Sequence, residues 1–151
     1  FTNAAMEWGK AQEDAARTAY AFLYDHKVTE IGIALHPTIQ GTHASPDGLV
    51  GDDGLVEIKA PNSSTHIETL KSQKIPTKYV NQMLWQMRCV DRAWCDFVSF
   101  DPRMPEEMQL FVQRLHRDDA AISELETLVQ EFLAEIEADV AQLTELYRKA
   151  A

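Results

Sequence analysis

The sequence holds only two cysteines, Cys89 and Cys95, among 151 residues. Two thiols cannot build the disulfide framework of a small secreted domain or a four-cysteine zinc site. No apolar run approaches the roughly 18 residues a membrane span needs, and no signal-peptide pattern opens the chain. A cytoplasmic protein without a membrane partner is therefore expected. Internal repeats, low-complexity tracts and obvious linkers are missing as well, so one domain over residues 1–151 is expected. The chain opens on Phe1 rather than Met, with the first helix beginning at once, which leads us to expect an upstream segment. Bases are scarce: 14 against 24 acids, a net charge of −10. Taken alone, that argues against a nucleic-acid binder.

The charge is unevenly placed, however. Residues 118–151 hold nine acids and two bases, a balance of −7. Residues 1–117 hold fifteen acids and twelve bases, a balance of only −3. From Thr69 to Val90 there is no acid at all, yet Lys71, Lys74, Lys78 and Arg88 are present. Such a stretch suits phosphates, which need cations but no sequence reading.

Thr2 or Asn3 reads as the cap of a helix reaching about Asp25. The β-branched run from Val28 to His36 reads as a strand. Residues 41–45 read as a loop or short strand. Gly48-Leu49-Val50 and Leu55-Val56-Glu57-Ile58 flank a Gly51-Asp52-Asp53-Gly54 turn and predict a hairpin. Thr65 to Gln73 is a weak helix or ordered loop. Pro76 opens a helix to about Val90. Trp94 to Phe100 predicts a strand buried on both faces, with Met108 to Leu115 as its partner. Asp118 or Asp119 caps a long final helix. Its apolar residues Leu125, Leu128, Phe132, Ile136, Val140, Leu143 and Tyr147 form one stripe at helical period. Packing on the rest of the chain is its expected use, and a subunit contact the alternative. The fold class is α/β (α+β): a mixed central sheet flanked by helices, with a long C-terminal helix.

The densest chemical signal is Ser45-Pro46-Asp47-Gly48 followed, ten residues past the Asp, by Glu57-Ile58-Lys59. On a strand, residues i and i+2 share a face, so Glu57 and Lys59 project together while Ile58 points away. A hairpin folded about Asp52 sets Asp47 opposite Glu57. Two carboxylates this close repel unless a cation sits between them. Mg²⁺, with Mn²⁺ as a substitute, is the natural choice, since it takes one or two carboxylates and keeps waters and phosphate oxygens. Such an ion acidifies bound water and polarises a phosphoryl oxygen, and Lys59 is placed to stabilise charge developing on phosphorus. The chemistry implied is phosphodiester hydrolysis. A solvated ion pair on a surface hairpin is the plain alternative.

This arrangement resembles the PD-(D/E)xK nuclease pattern. Trp8-Gly9-Lys10, Glu13 and Ala16-Arg17 extend the match, as do Glu57-Ile58-Lys59-Ala60-Pro61, Tyr79, Gln82 and Asp101-Pro102-Arg103-Met104. Together they resemble the phage lambda exonuclease family, the YqaJ-like viral recombinases, over about residues 6–117. The resemblance implies a restriction-endonuclease-like core and a metal-dependent enzyme that digests one strand of duplex DNA from its 5′ end. It leaves 3′ single-stranded tails for recombination. The metal site it implies takes Asp47, Glu57, the Ile58 carbonyl and Glu13; the catalytic set it implies is Asp47, Glu57, Lys59, Gln82 and Glu13. It also implies a ring-shaped trimer, a single-strand annealing protein as partner, and a phage or prophage origin in a bacterial cytoplasm. Lys71, Lys74, Lys78, Tyr79 and Arg88 are the candidate DNA contacts. The family carries, upstream of its first-helix motif, an Arg and a Ser that grip the DNA end, and residues 1–5 supply neither. An inactive relative that binds DNA or a partner, and an endonuclease with the same core, remain as other readings.

Glu13 lies on the apolar face of its helix with Gly9, Ala16 and Tyr20, where an unpaired carboxylate is unfavourable. Trp85 reads as a core indole or a base-stacking one. His43 and His66 lie nearest the motifs but lack metal-ligand spacing.

Overall fold

A computed structural model describes residues 4–148. The expected cap at Thr2 or Asn3 lies outside the described residues. The chain divides into two compact units, Phe1–Arg117 and Asp118–Ala151.

In the first unit, helix α1 (Ala4–Tyr24) precedes strands β1 (Val28–Thr29), β2 (Ala34–Leu35), β3 (His43–Ala44), β4 (Gly48–Val50) and β5 (Gly54–Lys59). Helices α2 (Ser63–Ser72) and α3 (Thr77–Val90) then lead to β6 (Trp94–Phe100) and β7 (Leu110–His116), with a 3₁₀ turn at Glu106–Met108 between those strands. Five strands form one mixed sheet in the order β1-β4-β5-β6-β7, and β2 and β3 pair separately. Only the β5–β6 pair is parallel in the main sheet. Parallel neighbours need a long crossover, and α2 with α3 supplies it.

The β4–β5 hairpin has the register expected, with Leu49 opposite Leu55 and Val50 opposite Gly54. Gly51 takes a φ of 55° in its turn, a conformation that favours glycine. Gly48 is required for a different reason: a Cβ there would collide with the Val28 side chain on β1. The single strand expected over Val28–His36 is instead two short ones. The chain leaves the main sheet after Thr29, and Ala34–Leu35 pairs with His43–Ala44. Asn62 caps α2 by accepting from the Thr65 N–H at 2.9 Å, which makes a regular helix of the weakly predicted segment.

All seven residues of β6 are buried. Alternation sorts them. Trp94, Val98 and Phe100 join Ala16 and Tyr20 of α1, with Val56 and Ile58 of β5, in one core cluster. Phe97 and Ser99 face the crossover helices, where Phe97 stacks on Tyr79 and Ser99 bonds His66. Tyr20 carries α1 onto the sheet: its hydroxyl donates to Asp96 Oδ2 at 2.6 Å. Arg114 closes on the same carboxylate with bonds of 2.8 and 2.9 Å.

The second unit is α4 (Asp119–Arg148), capped by Asp118, whose Oδ1 accepts from the N–H groups of Ala120 and Ala121. Leu125 is half-buried, and the rest of the stripe is exposed, from 41% at Ile136 to 76% at Tyr147. A lone helix has nothing within its own unit to cover it.

Candidate active site

The geometry begins with alternation on β5. Ile58 turns into the α1-side core, which sends Glu57 and Lys59 to the opposite face, toward α3. Glu57 is only 1% exposed, and the Lys59 ammonium contacts its Oε1. Asp47 stands one residue before the Gly48–Val56 pair, and its Oδ2 accepts from the Ile58 N–H at 2.6 Å. The two acids and the lysine thus meet as the spacing predicted.

A cavity of about 400 Å³ opens at the C-terminal end of β5. Glu13, Asp47, Ile58, Lys59 and Tyr79 line it, together with Gly9, Ala60 and Pro61. Glu13 is engaged by Arg17 at 2.6 Å, and Arg17 Nε also donates to the Asp47 carbonyl at 3.2 Å. Arg17 therefore ties α1 to the loop that carries Asp47, a role its place in the sequence did not reveal.

Gln82 donates its side-chain amide to Glu57 Oε1 at 2.7 Å. Gln86, one turn further along α3, donates to Oε2 at 2.6 Å. Gln86 was missed in the sequence, although its i, i+4 spacing from Gln82 was visible. The Tyr79 ring lies near two ammonium groups, Lys59 at 5.1 Å and Lys78 at 4.9 Å from its centroid.

Burial, and after it the charge of Glu57, pushes the Asp47 carboxyl up to about 7. Burial alone would lower Lys59, but the charge and hydrogen bond of Glu57 outweigh it and hold the ammonium protonated. Among the described residues, no three His, Cys, Asp or Glu side chains could hold a metal ion by themselves. A hard ion that keeps its waters needs only one or two carboxylates. Asp47 and Glu57, crowded enough to drive one toward protonation, suit such an ion, with the Ile58 carbonyl beside them.

The candidate DNA contacts are not all together. Lys74 and Lys78 line a second hollow of about 390 Å³ between α2 and α3, with Thr65, Thr69, Ser72 and Thr77. Lys71 is exposed in the last turn of α2. Arg88 lies ten residues beyond Lys78 on α3, about 15 Å along the axis, away from both hollows. Trp85 is neither fully buried nor free: its indole donates to the His43 carbonyl and stacks on His36. His66 is structural, bridging Ser99 Oγ and the Met108 carbonyl. Arg103 grips Asp101 through two nitrogens and lies over the Trp8 ring, tying the turn after β6 to α1.

Comparison with known proteins follows the same lines. The family described as YqaJ-like viral recombinase domain matches residues 1–93. The crystal structure of LHK-Exo in complex with dAMP is 52% identical, with a TM-score of 0.97, covering 100% of this chain and 77% of that one. The structure of LHK-Exo, an alkaline exonuclease from Laribacter hongkongensis, is likewise 52% identical, with a TM-score of 0.96, covering 100% of this chain and 78% of the other. A phage-related exonuclease from Haemophilus somnus 129PT shares the fold at 12% identity, with a TM-score of 0.68 over 93% of this chain and 75% of that one. No curated protein matches.

Proposed function

This chain belongs to the YqaJ-like viral recombinase domain family, and on that premise we propose that it is a metal-dependent exonuclease of linear duplex DNA. The observation that carries the reading is the meeting of three groups on one hairpin: Lys59 contacts the buried Glu57, Asp47 accepts from the Ile58 N–H between them, and Asp47 and Lys59 line one cavity. Asp47, Glu57, the Ile58 carbonyl and Glu13 would hold Mg²⁺, or Mn²⁺ in its place. When bound, the ion supplies Lewis-acid activation of a phosphoryl oxygen and a more acidic water.

The protein's own groups do the rest. Lys59, charged and held by Glu57, stabilises negative charge on the phosphorus. Gln82 reaches the same carboxylate from the exposed side of α3, and the family resemblance gives it a place near the nucleophile. Lys71, Lys74 and Lys78 track the backbone, with Tyr79 between them and the site and Arg88 at the far end of α3. Digestion from the 5′ end, 3′ tails for recombination, a ring-shaped trimer, an annealing partner protein, a cytoplasmic setting and one nuclease domain over 1–151 follow from the family resemblance and complete the proposal.

Incubation with Mg²⁺ and end-labelled linear duplex tests it. We expect mononucleotides released from 5′-labelled ends and a surviving complementary strand. Intact duplex under Mg²⁺ and under Mn²⁺ would refute the assignment.

A further inference from the structure

Glu57 is held from two depths of α3. Gln82, on the exposed side of α3, donates to Oε1, the oxygen that Lys59 also contacts. Gln86, 2% exposed at the base, donates to Oε2 at 2.6 Å. Resting on the nuclease reading above, we propose that Gln86 is a positioning residue: it locks Oε2 so that Oε1 stays turned toward Lys59, which lines the cavity together with Asp47 and Ile58.

Three observations support this. First, a carboxylate turns easily about its last bond, and two oxygens with different partners fix its plane. Second, the amide orientation is dictated, because only its NH₂ end can donate to a carboxylate. Third, the other end of the amide gains nothing: Gln86 Oε1 is buried without a hydrogen-bond partner. A side chain selected to fill space would not leave a buried acceptor unmatched. The buried residues around it on α3 are apolar, Met83, Leu84 and Met87, and a fourth apolar residue would pack there at no such cost. Gln86 is too deep to touch substrate, so its effect runs through Glu57.

The test is Gln86→Met, close in size and unable to donate. Calorimetric titration with Mn²⁺, without DNA, should show affinity reduced about 10–100-fold, the usual loss when an outer partner of a metal ligand is removed. The Mg²⁺ concentration for half-maximal digestion should rise in parallel, while duplex binding in EDTA and the circular dichroism spectrum stay as in wild type. Unchanged Mn²⁺ affinity would overturn the positioning role. If Gln86→Met does not fold, Gln86→Asn keeps an amide one methylene too short to reach Oε2, and the same loss is expected. Asp47→Ala separates the two failures. Should wild type bind Mn²⁺ and Asp47→Ala not, with the Gln86 variants normal, only the positioning role falls. Should wild type bind no Mn²⁺, the nuclease reading falls and takes this one with it.

Discussion

At Asp47 burial, and then the charge of Glu57, pushes the carboxyl up to about 7, well above the 3.8 of a free side chain. Between those values the folded protein holds a proton that the unfolded chain has released. Stability therefore falls as pH rises from about 4 to about 7 and levels off above, because folding must keep the proton or accept an unfavourable charge. In EDTA, the unfolding midpoint should be higher at pH 5 than at pH 7.5. On the proposal that Mg²⁺ binds the ionised pair, its stabilising shift should be larger at pH 8 than at pH 6; equal shifts would show that Asp47 does not ligate. Lys59→Ala is expected to lower the rate of digestion by about 10³-fold or more while duplex binding and the melting midpoint survive. A fully active Lys59→Ala protein would remove the lysine from the reaction. Both residues were legible in the sequence, because period-two alternation and a ten-residue hairpin spacing are local facts. Gln86 and Arg17 were not: each acts on an acid some 30 residues away in sequence, and nothing local marks the partner.

At the scale of elements, the site depends on how α1 is seated. Tyr20, Asp96 and Arg114 join α1, β6 and β7 through one buried carboxylate. Tyr20→Phe should cost about 1 kcal/mol, the net value of one hydrogen bond. Asp96→Ala should cost more, about 2–3 kcal/mol, since it leaves the buried Tyr20 hydroxyl without its acceptor while Arg114, itself exposed, is released to solvent. Denaturant melts measure both, and equal losses would deny the carboxylate its central place. The crossover helices carry the candidate phosphate track. Replacing Lys71, Lys74 and Lys78 by Gln should lower the salt slope of duplex binding by about 2–3; an unaltered slope would dismiss the track. Helices with clear periods and the hairpin were readable as elements. The break of residues 28–36 into two strands was not, because a β-branched run specifies extended backbone without specifying which edge it joins.

At the scale of the molecule, a net charge of −10 coexists with a nuclease-family fold because −7 of it falls in residues 118–151, leaving −3 on the residues that carry the site. The stripe residues of α4 from Leu128 to Tyr147 are exposed, and the proposed trimer would use such a face. Light scattering should return three times the chain mass, and the mass of a single chain would exclude the ring.

The sequence by itself determined the class of fold, the acid–acid–lysine constellation and the helical stripe. Each of these is a periodicity or a short spacing that backbone geometry translates directly into a face. Only the tertiary structure decided that α3 presents two amides to Glu57 and that Arg17 binds the loop of Asp47. Those outcomes depend on the angle and depth at which elements pack, which long-range burial sets and no local pattern encodes.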